Sequence, residues 1–178
     1  SLEDGSGSGL FLYSIAEREC KEFRTCGKHG DSTKGTSHVN TMILKEFEAM
    51  QTNVTKKACS DAHATKDLIT RRMMIPLIQG TLRYAYKRSS GTATELEIAD
   101  GAVFSASIVP LVAACSFEDG EVVNNNMETT AKNTNFAMVK EAFEKHYSCL
   151  GVTCTDIGGY WDKNSRDYYS GASPCIDE

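Results

Sequence analysis

The stretch Ala102-Val103-Phe104-Ser105-Ala106-Ser107-Ile108-Val109-Pro110-Leu111-Val112-Ala113-Ala114-Cys115 decides the fold. It carries no charge, and Ser105, Ser107 and Pro110 interrupt an apolar run that falls short of the roughly 20 residues a bilayer-spanning helix needs. It therefore predicts no transmembrane segment but a core helix, which begins near Glu95 with Thr92 or Thr94 as its cap. Being almost wholly apolar after Asp100, that helix is expected at the centre of the domain.

Upstream, Asp61 to Lys87 reads as a helical stretch broken or kinked at Pro76, because proline removes an amide donor and crowds the preceding turn. Ser89 to Gly91 closes it. Further back, Val39, Met42, Ile43, Phe47, Met50 and Val54 recur at helical spacing opposite Lys45, Glu46, Glu48 and Gln51, the clearest amphipathic pattern in the chain. Gly27 to Ser37 lacks apolar residues and reads as a surface loop, and Leu10 to Phe23 as a short helix. Ser1 to Gly9 is small and polar, without the charged-then-apolar pattern of a signal peptide, and is expected to be a flexible lead or linker.

Downstream, Glu118 to Asn135 is polar with a weak helical signal around Val122 to Thr130. Phe136, Val139, Phe143 and Tyr147 mark a last helix. Cys154 to Cys175 reads as an irregular tail, in which a short strand pair stays open. The expected class is mainly α: one helical-bundle domain over 10–178, ending in a disulfide-held tail. A chain of 178 residues with 40% hydrophobic content supports a packed core. Its net charge of −5 and scattered Lys and Arg leave no footprint for nucleic acid.

The seven cysteines, Cys20, Cys26, Cys59, Cys115, Cys149, Cys154 and Cys175, include no CxxC pair, so their spacing does not fit a zinc module. Disulfides in an oxidising compartment are the better reading, with one thiol left over, either buried or paired with another chain. The sequon Asn53-Val54-Thr55 makes Asn53 a glycosylation candidate on a secretory route.

Gln79, Arg83 and Tyr86 share one helical face. Arginine offers a planar fork for carboxylate, phosphate or carbonate, and a tyrosine phenolate is a hard ligand suited to ferric iron. A solvated face with Tyr86 capping the core is the plainer reading of the same spacing. Glu97 and Asp100 stand one turn apart before the apolar helix and can project together toward a neighbour, although first-turn acids also simply complement the helix dipole. His63 and Asp67, at i and i+4, are further ligand candidates, and Tyr160, Trp161, Tyr168 and Tyr169 form an aromatic group in the tail. No nucleophile elbow, HExxH helix, GxGxxG or P-loop occurs, so no enzyme is expected.

The blocks Ile75-Pro76-Leu77-Ile78-Gln79-Gly80-Thr81-Leu82-Arg83-Tyr84-Ala85-Tyr86-Lys87, Ala99-Asp100-Gly101-Ala102-Val103-Phe104 and Val109-Pro110-Leu111-Val112 resemble the algal low-iron-inducible periplasmic protein family, which includes the phytotransferrins. The closing segments Cys149 to Cys154, Asp156 to Gly159 and Tyr169 to Cys175 are similar to that family's ending, in the same order. The resemblance implies a cell-surface or periplasmic protein that captures ferric iron, with carbonate as a synergistic anion; an organelle lumen is the alternative compartment. Arg83, with Gln79, would hold the anion, while Tyr84 or Tyr86, Asp100, and Glu97 or His63 would supply hard ligands. The chain departs from the family in carrying Asp100 where a glutamate is common and Val103 where a bulky aromatic is common. Family members often contain two related domains, so a second such domain, or other surface proteins, are the implied partners. A metal-free structural or interaction module that retains the fold is the alternative function.

Overall fold

A computed structural model describes residues 11–177; the lead expected at Ser1 to Gly9 lies outside the described residues. Of the described residues 66% are helical and 4% strand, and the chain divides into two compact units, the first ending at Pro76 and the second beginning at Leu77. The boundary falls inside one helix.

In the first unit, α1 (Leu12–Phe23) and α2 (His38–Thr55) are followed by α3 (Cys59–Ser89), which reaches the boundary at Pro76. The glycine-rich loop between α1 and α2 is ordered by chemistry rather than by apolar burial. Cys20 and Cys26 form a disulfide, Cys26 exchanges backbone hydrogen bonds with Ser32, and the carboxylate of Glu17 accepts from Ser37 N and Asn40 Nδ2, both at 2.9 Å. Gly27, Gly30 and Gly35 adopt positive φ, which a glycine tolerates and a side chain resists. The apolar pattern of α2 is not matched by burial: only Val39 and Asn40 are buried, while Leu44, Phe47 and Val54 are exposed. Leu44 and Phe47 instead line an apolar cleft of about 210 Å³ with Leu12, Tyr13, Met73 and Pro76. Asn53 lies within α2 and its Nδ2 donates to Thr65 Oγ1 at 3.3 Å, a bond a glycan on that nitrogen would displace.

Pro76 does not end the helix. α3 runs unbroken for 31 residues, because the buried Met74, Ile75, Ile78 and Leu82 on either side hold it while the proline removes a single amide donor.

The second unit holds the rest of α3, then α4 (Glu95–Cys115), α5 (Phe117–Met127), α6 (Phe136–Glu144), the short α7 (Tyr147–Leu150) and α8 (Cys154–Ile157), and a two-stranded antiparallel ribbon, β1 (Trp161–Asp162) with β2 (Asp167–Tyr168). Its core gathers Ile78, Leu82, Phe104, Ile108, Val112, Val123, Met127, Val139 and Phe143. Thr94 caps α4 in a capping box with Glu97. With its first turns included, α4 is 21 residues, long and apolar enough by length and composition to cross a bilayer. It is not central, contrary to the reading from its composition. One face buries Gly101, Phe104, Ser105, Ile108 and Val112, and the opposite face leaves Leu96 72% and Val103 68% exposed.

Disulfides join Cys115 to Cys149 and Cys154 to Cys175, so six of the seven cysteines are paired and Cys59 is the exposed free thiol. The tail is irregular, as expected, and closes by backbone bonds from Tyr160 N to Ala172 O and Tyr169 N to Tyr160 O, both 3.0 Å. Asp177 accepts from the amides of Cys154 and Thr155, and the Thr155 hydroxyl bonded to its carboxyl holds that group below the usual carboxylate range.

Candidate functional site

The site grows out of the contact between α3 and α4. Glycine stands opposite an aromatic residue on each helix. A methyl carbon at Gly80 would overlap the Phe104 ring, and one at Gly101 would lie 2.8 Å from Tyr84 Cβ. The Tyr84 and Phe104 rings then meet at 5.7 Å between centroids, tilted by 45°. The absence of a side chain at Gly80 and Gly101 allows this approach, so the blocks Ile75 to Lys87 and Ala99 to Phe104 are packing partners.

On that contact sits a short polar chain. Arg83 Nη2 donates to the Tyr84 hydroxyl at 2.7 Å, and that hydroxyl donates to Asp100 Oδ2 at 3.1 Å. The Arg83 guanidinium also lies 4.5 Å from the centroid of the Tyr84 ring, a cation–π contact. Arg83 is 9% exposed and Tyr84 3%, whereas Asp100 is half-buried and provides the way to solvent. One turn further on, Lys87 binds the Glu97 carboxylate, and this bond together with the Thr94 amide holds Glu97 below the ordinary range. Glu97 is thus committed to a lysine and to capping.

The remaining residues picked out from the sequence lie elsewhere. Two positions apart on a helix is a turn of about 200°, so Tyr86 leaves α3 on the side away from Tyr84. It packs against Phe136, Tyr160 and Tyr169 with centroids 5.0 to 5.4 Å apart. Gln79 is 1% exposed and its amide donates to Ile157 O at 2.9 Å, tying the tail to α3. His63 is exposed on the part of α3 in the first unit. Of the predicted set, Arg83, Tyr84 and Asp100 come together.

Two features had no local signal. His146 Nε2 meets Asp119 Oδ2 at 2.7 Å across 27 residues, and this bond lowers the Asp119 carboxyl from its ordinary value. Arg88 spans from α3 to the carbonyls of Met127 and Glu128 at 2.6 and 2.9 Å, and burial pulls its guanidinium down. It lines a polar cleft of about 260 Å³ with Ser89, Ile98, Lys132, Asn133 and Thr134. Only a two-residue spacing rule or a local motif can be seen in sequence, and both pairings are long-range.

Among the described residues no group of three His, Cys, Asp or Glu side chains is placed to hold a metal ion. Compared with protein-family models, with curated proteins and with solved structures, the chain matches none.

Proposed function

We propose that this chain is a ferric-iron-binding domain of an algal surface or periplasmic iron-uptake protein, with Tyr84 and Asp100 as protein ligands and Arg83 as the anchor of a carbonate anion. The observation that carries the reading is the Arg83–Tyr84–Asp100 chain. Hard oxygen donors at metal–oxygen distances of about 2.1 Å stand roughly 3.0 Å apart along an octahedral edge, and the Tyr84 hydroxyl and Asp100 carboxylate oxygens are 3.1 Å apart. A cation that replaces the shared proton needs little rearrangement of these two groups. Arg83 stabilises the phenolate that results and, once the phenol proton has gone, presents its fork to a small planar anion. Iron uptake here is binding and release of cargo, with no catalytic step. Three disulfides fit the oxidising compartment that the reading requires.

Ferric iron supplied with bicarbonate to the purified protein is expected to raise a phenolate-to-iron charge-transfer band in the visible spectrum. Tyr84→Phe and Asp100→Ala each remove it, and Tyr86→Phe leaves it. Absence of the band, or its survival in Tyr84→Phe, defeats the assignment.

A second reading is favoured by one observation. The Tyr84 hydroxyl both accepts and donates in the structure, so its hydrogen bonding is complete without an ion. On that reading the chain is a metal-free structural or interaction module of a surface or lumenal assembly, and metal analysis of the native protein finds no iron.

A further inference from the structure

We propose that the polar cleft between the end of α3 and the loop joining α5 to α6 binds the phosphate group of a small phosphate ester. Its volume is about 260 Å³, below the roughly 300 Å³ at which pockets for drug-sized ligands begin, so the ligand is small. The chain carries a net charge of −5, yet no acidic residue lines this cleft, and Arg88 and Lys132 do.

The positive charge there has no anionic partner. Arg88 Nη1 donates to Met127 O at 2.6 Å, and its Nη2 donates to Glu128 O at 2.9 Å and to Ala131 O at 3.4 Å. These neutral carbonyls fix the guanidinium in place, and the C-terminus of α5 offsets only part of its charge. The nearby acid is the exposed side chain of Glu128, which acts on Arg88 through space. Lys132 is exposed and, among the described residues, has no ion-pair partner.

Hydrogen-bond donors are unspent as well. Among the described residues, the side chains of Ser89, Lys132 and Asn133 have no hydrogen-bond partner, and neither do the backbone amides of Lys132, Asn133 and Thr134. The loop that carries them is nevertheless held. Asn126 accepts from the Thr134 hydroxyl through its carbonyl at 2.8 Å and from the Asn135 amide through its side chain at 2.7 Å. Two residues beyond Thr134, α6 begins with no acid in its first turn, so its dipole adds to the field. So many donors and two cations outnumber what the two oxygens of a carboxylate can accept. A phosphate monoester brings close to two negative charges and three acceptor oxygens, and Ile98 offers an apolar wall to the carbon chain that bears it.

The test is an amide NMR titration of the full chain, free of iron. Inorganic phosphate is expected to bind saturably and to shift the amides of Lys132, Asn133 and Thr134. Glycerol 3-phosphate, which fills more of the cleft, is expected to bind more tightly, and succinate more weakly. Lys132→Ala should weaken phosphate binding about tenfold, the loss of one charge-assisted hydrogen bond. Glu128→Gln keeps the carbonyl that holds Arg88 and removes the nearby negative charge, so it should tighten binding about twofold. Both side chains are exposed, and both variants are expected to keep the urea midpoint of the unsubstituted protein. A response that never saturates, binding that Lys132→Ala leaves unchanged or Glu128→Gln weakens, or succinate binding as tightly as phosphate overturns the proposal. So does an ester that binds no more tightly than inorganic phosphate, and so do shifts centred on Arg83 and Tyr84, which would place the anion in the other site. None of these readouts involves iron, so the proposal stands or falls apart from the metal reading.

Discussion

Tyr84 and Tyr86 sit two residues apart on one helix and lead different lives. Tyr84 is buried against α4, and its hydroxyl is one link of an arginine–phenol–carboxylate chain. Tyr86 is half-buried and works through its ring, stacked among Phe136, Tyr160 and Tyr169. The same side chain therefore acts through its polar tip on one face of α3 and through its apolar body on the other. What decides is the neighbour: a helix with a glycine and an acid on one side, a loop of aromatics on the other.

This contrast can be broken most severely at the glycine. Gly80→Ala puts a methyl group into the Phe104 ring and separates α3 from α4; the loss should be about 3 kcal/mol, at the high end for overpacking, read as a lower urea midpoint. Gln79→Ala strikes the link to the tail instead. It leaves Ile157 O unpaired in a buried setting, and about 2 kcal/mol of destabilisation is expected in the same assay. The two tyrosines sharpen the comparison directly. Tyr84→Phe removes the hydroxyl between Arg83 and Asp100 and should cost about 1.5 kcal/mol, while Tyr86→Phe, which keeps the ring, should fall within about 0.5 kcal/mol of the unsubstituted protein.

The smallest effect concerns pH. Glu97 is held below its ordinary value chiefly by Lys87. A depressed carboxyl contributes stability that is complete above its unfolded value and is lost as pH falls through the folded one. Lys87→Met should therefore flatten the acid limb of the stability profile below about pH 5, with a loss under about 1 kcal/mol at neutral pH, since the pair is partly solvated. An acid limb unchanged by Lys87→Met would show that Glu97 owes its ionisation to the cap alone.

Much of the helical fold is legible in the residues. The Thr94 cap with Glu97, the apolar run to Cys115 and the repeat Phe136, Val139, Phe143 each specify a helix locally, and each is present. Burial is less legible than conformation. The all-round apolar composition of α4 points to the centre of a fold, and the amphipathic stripe of α2 points to a buried face; the structure exposes one face of α4 and fully buries only Val39 of the α2 stripe. A helix's composition states what it can cover, not whether a neighbour is there to be covered. Pro76 shows the same limit from the other side, since its local preference for a break yields to burial on both sides. At the site, Arg83 can be named from the polar face it shares with Gln79 and Tyr86 and Asp100 from its place one turn after Glu97, whereas Tyr84 is named only through the resemblance. The separation of Tyr84 from Tyr86 follows from helix geometry that the linear spacing already contained. The cysteine pairing, the His146–Asp119 contact and the division into two units depend on long-range packing and leave no trace in spacing.

The reciprocal arrangement of Gly80 with Phe104 and Gly101 with Tyr84 bears on how this chain can change over generations. Neither glycine can drift alone, because the space each leaves empty is occupied by the other helix's aromatic residue, the Phe104 ring at Gly80 and Tyr84 Cβ at Gly101. A smaller residue at 104 would license alanine at 80, so the two positions are expected to covary: Gly80→Ala combined with Phe104→Leu should be more stable than Gly80→Ala by itself, a case of one harmful substitution relieving another.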